Sequence, residues 1–491
     1  DHCPVLAPCI LDPAPRPGRC RRYELMWERD HALNEVVAEA WGAAGIKRNL
    51  RDVQKALGQV MGKLHTWSNK KFGNVTRQLE KYRSRLEELM LMNADRADIR
   101  KHMDEMNELL FREEMLWLQR SRIAWLKEGD RNTKFFHRKA VWRARKNAVR
   151  GLLDANDVWQ TNKNVMLDMA RNHFMQLFTA DPNVNPEEVV NLFQAKITDD
   201  MNTTLCAPFT DKEIGDALFQ IGPLKAPGPD GYPARFFQRN WALMKEDVMV
   251  AVRLFFETGH MPDEVNSTTI VLIPKVANPK KLNEFRPISL CNVVYKVISK
   301  CLVNRLRPLL DVIIDPEQSA FVHGRLITDN AFIAFECMHT IKQERNQENS
   351  FCAYKLDLSK AYDRVDWNFL ERMMQQLGFH HRWIQWIMAC VTSVRYSVKL
   401  NGALSDSFTP SRGLQQGDPL SPFLFLFVAD GLDAILKQKV RQGRISPIHV
   451  CPRAPGISHL LFADDTLMFF RATREEATQV GDALAIYERI T

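Results

Sequence analysis

The sequence predicts an α+β fold in which a long, mainly helical segment precedes a unit of alternating strands and helices. Three observations lead there. Over residues 26–140, apolar side chains recur at helical spacing between charges of both signs, as at Val53, Leu57, Val60 and Leu64 and again at Leu79, Tyr82, Leu86 and Leu89. The stretch Leu224-Lys225-Ala226-Pro227-Gly228-Pro229-Asp230-Gly231-Tyr232-Pro233 then breaks the pattern, because so many turn formers impose an irregular, extended backbone. Beyond it, strand-like apolar runs alternate with helical patterns to the end of the chain.

Composition narrows the class further. A length of 491 residues and a hydrophobic fraction of 45% suit two to four domains with a large core. No apolar run reaches the roughly 20 residues of a membrane span, so a soluble chain with no membrane partner is expected. The ten cysteines form no C-x-x-C pair, which argues against a zinc site and against a disulfide framework. A reducing compartment follows, nucleus or cytoplasm, and no secretion. The chain starts at Asp1 and stops at Thr491, about one helix past Asp465, so both ends read as cut. Oligomeric state is not legible.

The helical segment divides in two. Residues 50–110 read as a solvated helical pair or short coiled coil. After them comes a basic run, with Arg120, Arg122, Lys134, Arg138 and Arg143 among its cations and Trp125, Phe135, Phe136 and Trp142 interleaved. Positive charge tracks a phosphate backbone while aromatic faces stack on unpaired bases, so this run is a candidate RNA-binding surface. The plainer alternative is a wet basic face over aromatics that belong to the core.

Chemistry concentrates in two acidic segments. Asp357 stands in Lys355-Leu356-Asp357-Leu358-Ser359-Lys360-Ala361-Tyr362-Asp363, and Asp464-Asp465 in Leu460-Leu461-Phe462-Ala463-Asp464-Asp465-Thr466. Apolar residues precede the acids in both, as in buried strands, which puts the carboxylates at strand ends or turns. Burying them together is costly, since at about 4 Å and an effective dielectric near 20 each pair repels by roughly 4 kcal/mol. Two divalent cations turn that repulsion into a binding site of the kind that drives in-line phosphoryl transfer in polymerases.

Singly, these motifs are weak, since an Ala-Asp-Asp triplet is usually a turn. Their order is specific. Asp357-x-x-x-Ala361-Tyr362-Asp363, then Gln416-Gly417-Asp418-Pro419-x-Ser421-Pro422, then Phe462-Ala463-Asp464-Asp465 resembles the palm motifs of reverse transcriptases, and more narrowly those of the plant-like LINE branch of non-LTR retrotransposons. Ile273-Pro274-Lys275, Phe285-Arg286-Pro287-Ile288-Ser289-Leu290, the run from Gln318 to Arg325 and the Lys225–Gly231 loop also fit that branch, and the resemblance covers essentially the whole chain. It implies a right-hand polymerase palm and fingers over residues 206–491, with a core from about 265, preceded by the helical basic extension over 26–205 and lacking a thumb. Asp1-His2-Cys3-Pro4 resembles the end of the endonuclease that precedes such polymerases, so residues 1–25 are expected to be its remnant plus a linker, without nicking activity.

Roles follow from the resemblance. Asp357, Asp464 and Asp465 would be catalytic, and with the carbonyl of Leu358 they would hold two Mg²⁺ ions, for which Mn²⁺ is a substitute. Asp465 would assist more than ligate. Lys275 and Arg286 would grip the triphosphate, Tyr362 would exclude the 2′-hydroxyl of NTPs, and Gln416 and Gly417 would pass close to the template-pairing nucleotide. Arg325 joins the candidate nucleic-acid contacts. Asp418 and Ser421 would only brace their turn. The implied partners are an RNA template, a DNA primer or target DNA, and dNTPs. Two alternatives stand beside this reading: an RNA-dependent RNA polymerase, against which Tyr362 and Gln416-Gly417 argue, and an inactive element fragment that only binds RNA.

Overall fold

The computed structural model describes residues 21–92, 94–121, 133–344 and 350–491. The expectations for His2, Arg122 and Trp125 lie outside these residues. Among the described residues no helix is long and apolar enough to cross a membrane.

The helix Leu50–Lys71 starts where the Asn49 side chain accepts the Asp52 N–H, an N-cap that satisfies one of the orphan donors of the first turn. Its apolar stripe of Val53, Leu57, Val60 and Leu64 is completely buried. The expected solvated pair is therefore wrong for this helix: its charges of both signs line one face while the other is core. The expectation holds for the next two helices. Val75–Leu91 and Arg96–Ser121 pack on each other, Tyr82 stacks on His102 at 4.6 Å, and few of their side chains are buried. Thr133–Lys146 follows as the basic helix.

Among the described residues, nine strands complete the fold: β1 (Leu152–Leu153), β2 (Trp159–Gln160), β3 (Ser267–Pro274), β4 (Phe285–Cys291), β5 (Phe351–Asp357), β6 (Arg395–Leu400), β7 (Ala403–Leu404), β8 (His459–Phe462) and β9 (Asp465–Arg471). They form a two-stranded ribbon, a four-stranded sheet in the order β4-β3-β6-β7 and a three-stranded sheet in the order β5-β9-β8. In β4 the side chains alternate, so Phe285, Pro287, Ser289 and Cys291 face inward while Arg286 points to solvent.

One buried cluster reaches from Tyr23 to Ile490, so segments 26–205 and 206–491 share a core. Arg305, on the helix Val293–Leu306, holds the chain where the two segments meet, over residues 205–213. Its guanidinium lies 3.5 Å over the Phe209 ring, pairs with Glu213 at 2.7 and 3.0 Å, and donates to the carbonyls of Leu205, Ala207 and Pro208. A planar fork with five donors fits this cage and an ammonium does not.

Replacing that group by Arg305→Ala strands three carbonyls and a carboxylate. The expected loss is on the order of 2–3 kcal/mol in urea unfolding, discounted for the partial exposure of Glu213, and Arg305→Lys should recover little of it. A loss below about 0.5 kcal/mol would show that the cage contributes nothing.

Candidate active site

Strand register assembles the acids. Asp357, the last residue of β5, lies directly opposite Asp465, the first residue of β9, and Asp465 also pairs with Phe462 to close the β8–β9 hairpin. Ala463 and Asp464 form its two-residue turn. Ala463 holds a φ of 55°, the left-handed region that costs a non-glycine residue about 1–2 kcal/mol. The Leu358 N–H donates to the Asp464 carbonyl at 3.3 Å, tying the turn to the residue that follows Asp357. Asp357 and the adjacent pair Asp464-Asp465, more than 100 residues apart in sequence, thus meet on one rim.

The acids are less buried than expected. Asp357 and Asp465 are exposed and Asp464 is half-buried, because they project from strand ends rather than from the sheet interior. Solvent therefore screens much of their repulsion. Burial still raises the Asp464 carboxyl above its usual value, Asp357 and Asp465 push the same way, and Arg286 opposes them. Asp465 is engaged by Lys355 at 2.9 Å.

The cations stand across from the acids on the β3–β4 hairpin. Arg286 is opposite Ile273 in register, and the Lys275 N–H donates to the Glu284 carbonyl at 2.8 Å, so both sit near the hairpin tip with exposed side chains. The Arg286 charge reaches Asp464, and the Lys275 charge reaches Asp363 and Lys360.

Between the two groups lie Tyr362 and the Gln416-Gly417 loop. The Tyr362 ring stacks on Phe425 at 4.9 Å, and burial with help from Asp464 pushes its hydroxyl up to about 12. Gln416 accepts the Ser289 N–H of β4 at 2.7 Å through its carbonyl, and its side-chain amide donates to Asp363 at 2.9 Å. Gly417 is required here. Its φ is 119°, and a Cβ would stand 3.0 Å from the Ser289 carbonyl oxygen. Asp418 is buried with its carboxylate on the Ser299 hydroxyl at 2.7 Å and the Leu420 N–H at 3.2 Å, and Ser421 opens the helix Ser421–Arg441, so both brace the turn.

The nucleic-acid candidates divide. On the basic helix Lys134 and Arg138 are exposed, and Trp142, 60% exposed, has the Lys139 and Lys146 ammoniums 5.9 and 5.1 Å from its ring. Phe136 instead is buried, as the plainer alternative had it. Arg143 reaches the Ser121 carbonyl at 3.4 Å, and Arg120 pairs with Glu24 at 3.7 Å. Arg325 is a correction. Its guanidinium is committed to the Asp311 carboxylate and to the carbonyls of Asp311, Ile314, Asp315 and Gln318, which leaves it a structural brace.

Sequence reasoning missed a second acidic group. Asp315, Glu317 and Asp433 lie close enough to share a metal ion. The Lys437 ammonium already stands among them, at 2.8, 2.5 and 3.1 Å, Lys196 pairs with Asp315, and His459 meets Asp433 at 2.7 Å. A side-chain cation fills the place a metal would take. The only local signal was the i,i+4 spacing of Asp433 and Lys437.

Comparison with known proteins agrees with the geometry. The family model described as "Reverse transcriptase (RNA-dependent DNA polymerase)" matches residues 273–488. The "Transposon TX1 uncharacterized 149 kDa protein" of Xenopus laevis is 28% identical over 323 residues, 65% of this chain and 24% of that protein. The Pol polyprotein of the retrotransposable element R2DM of Drosophila melanogaster is 29% identical over 217 residues, 44% of this chain and 20% of its own length. The "Uncharacterized mitochondrial protein AtMg01250" of Arabidopsis thaliana is 51% identical over 67 residues, 14% of this chain and 55% of that one. The chain spans a quarter or less of the two retrotransposon proteins.

Asp363 gives a pH test of the site's packing. Burial pushes its carboxyl up to about 6, with Gln416, Lys360 and Lys275 pulling it down. A folded-state value above the unfolded one favours folding below about pH 4, and that contribution is lost as pH rises through 6. Asp363→Asn does not titrate. Its stability relative to the wild type should therefore improve between pH 4 and pH 7, by up to about 3 kcal/mol in urea unfolding. A difference independent of pH would contradict the assignment.

Proposed function

Because residues 273–488 form a reverse transcriptase domain of the LINE-type non-LTR retrotransposon class, we propose that this chain adds dNTPs to a primer 3′-hydroxyl on an RNA template. The observation that carries the proposal is the cross-strand register of Asp357 with Asp465, with Asp464 at the turn between β8 and β9. In this reading β5, β8 and β9 are the palm and the β3–β4 hairpin belongs to the fingers. Segment 26–205 is the RNA-binding extension, and 1–25 the tail of a preceding nuclease with its linker.

The donor set fits a hard divalent cation. Carboxylates from Asp357 and Asp464, with the Leu358 carbonyl, are the oxygen ligands Mg²⁺ prefers, and Mn²⁺ accepts the same set. Burial raises the Asp464 carboxyl, and Asp357 and Asp465 add a repulsion that a cation would relieve. When bound, two such ions acidify the primer hydroxyl and stabilise the charge on the leaving pyrophosphate. The chain's own side chains do the rest. Arg286 offers a planar fork and Lys275 a point charge to the triphosphate. Tyr362, held flat by Phe425, lies under the sugar and leaves no room for a 2′-hydroxyl. Gln416 and Gly417 bring backbone against the pairing nucleotide. Asp465 keeps Lys355 in place. Target DNA would place the reaction in the nucleus, with translation and RNA capture in the cytoplasm.

Primer extension on an RNA template with Mg²⁺ and dNTPs tests this directly. Asp357→Ala or Asp464→Ala should lower the rate by roughly a thousandfold or more, since each removes charge compensation that exists only at the reacting phosphate. RNA binding without extension by the wild type would favour the inactive-fragment alternative. Tyr362→Val should keep dNTP incorporation and admit NTPs at least about tenfold more readily, a difference of about 1.4 kcal/mol that packing against one hydroxyl can supply. Unchanged sugar discrimination would remove Tyr362 from the gate. Lys134→Ala, Arg138→Ala and Arg143→Ala together should flatten the salt dependence of RNA binding, changing the log–log slope by about 2 if each cation contacts one phosphate. An unchanged slope would mean the basic helix touches no RNA.

A further inference from the structure

We propose that Gln318 is a positioning residue for Asp464. Its side-chain amide grips the Ala463 peptide and holds the turn that sets the Asp464 carboxylate beside Asp357. The inference rests on the polymerase reading of those two acids.

The geometry is specific. Residues 317–319 run alongside β8 as an extra parallel bridge, with the Leu461 N–H donating to the Glu317 carbonyl at 2.9 Å and the Ser319 N–H to the Leu461 carbonyl at 3.1 Å. That register delivers the Gln318 side chain, completely buried, to the end of the hairpin. Its Oε1 accepts the Ala463 N–H at 2.9 Å and the Ala320 N–H at 3.0 Å, and its Nε2 approaches the Ala463 carbonyl at 3.5 Å. A primary amide presents an acceptor and a donor side by side, so it can meet both main-chain groups of one residue as a neighbouring strand would. Ala463 is where such support is needed, because its left-handed φ of 55° is unfavourable for an alanine.

Gln318 is itself immobilised from several sides. Its carbonyl accepts from Arg325 at 2.8 Å and its N–H donates to Asp315. Lys437 holds the neighbouring Glu317 at 2.5 Å. Separately, Asn330 donates to the Leu461 carbonyl at 3.0 Å, a bond to the hairpin and not to Gln318. The Arg325 brace and the ion-pair cluster around Lys437 thereby acquire a purpose: they keep one amide fixed against the catalytic turn. Groups that orient a metal ligand from behind typically change metal affinity or activity 10–100-fold when removed.

The test compares Gln318→Leu, Gln318→Glu and Asn330→Ala in the full chain. Primer extension is measured against Mg²⁺ and dNTP concentration, and Mn²⁺ binding by electron paramagnetic resonance. Gln318→Leu should raise the half-saturating metal concentration and lower kcat about 10–100-fold, with the dNTP KM at saturating metal within about twofold of wild type. Gln318→Glu keeps the acceptor for both N–H groups but loses the donor to the Ala463 carbonyl, so it should recover part of the loss. Asn330→Ala removes a bond to the same hairpin without touching Ala463, so it should lower thermal stability and leave the metal titration alone. If Gln318→Leu does not fold, Gln318→Asn, one methylene too short to reach Ala463, serves in its place. A Gln318 variant with the wild-type metal titration, or one shifted no more than Asn330→Ala, would overturn the inference and leave the polymerase reading intact. A wild-type chain that binds Mn²⁺ but does not extend would fail the polymerase reading, and the Mn²⁺ titration would still decide on Gln318. A wild-type chain that binds no Mn²⁺ overturns both.

Discussion

The pairing of β5 with β9 is the constraint on which the rest of the molecule depends. Side chains alternate along a strand, so a slip of one residue would carry Asp357 and Asp465 to opposite faces. Seven register pairs from Phe351↔Arg471 to Asp357↔Asp465 hold this ladder, and buried Met468, Phe469 and Phe470 anchor β9. The site is therefore specified by apolar residues that carry none of its chemistry. The strained turn at Ala463 is the exception that the ladder alone does not stabilise.

Around that ladder the charges are arranged by distance from solvent. Arg286 and Lys275 stand exposed near the tip of the β3–β4 hairpin. Asp363 and Asp418 are buried instead, each satisfied by hydrogen bonds and each pushed up to about 6 by desolvation. The Gln416-Gly417 loop connects the two kinds of environment, bonded to β4 on one side and to Asp363 on the other. Movement of the hairpin would thus be felt by the loop that is expected to meet the paired nucleotide. The shared core carries the same logic outward, since helices as early as Leu50–Lys71 are packed into the cluster that supports the sheets.

Much of the site was legible because its motifs are local. Asp357, Asp464 and Asp465 end or begin apolar runs, and the runs became strands that place them as expected. The turn around Gly417 was legible for the same reason, since its chemistry is encoded by neighbours in sequence. What escaped the sequence depends on partners more than 100 residues away. Gln318 meets Ala463 across 145 residues, and Lys437 meets Glu317 across 120. Arg325 was misread because the resemblance carries over a residue and not its partners, which are the Asp311 carboxylate and turn carbonyls 7 to 14 residues back. Helix Leu50–Lys71 was misread for a different reason. Helical spacing reveals an apolar stripe but not what covers it.

We propose that divalent cations bind at Asp357 and Asp464 and not among the acids around Lys437. Anomalous diffraction from crystals grown with Mn²⁺, primer–template and a dNTP tests it most directly. Two Mn²⁺ peaks are expected, both within bonding distance of carboxylate oxygens of Asp357 and Asp464, with the Lys437 ammonium still seated among Asp315, Glu317 and Asp433. Peaks in the Lys437 cluster with none at Asp357 and Asp464 would contradict it.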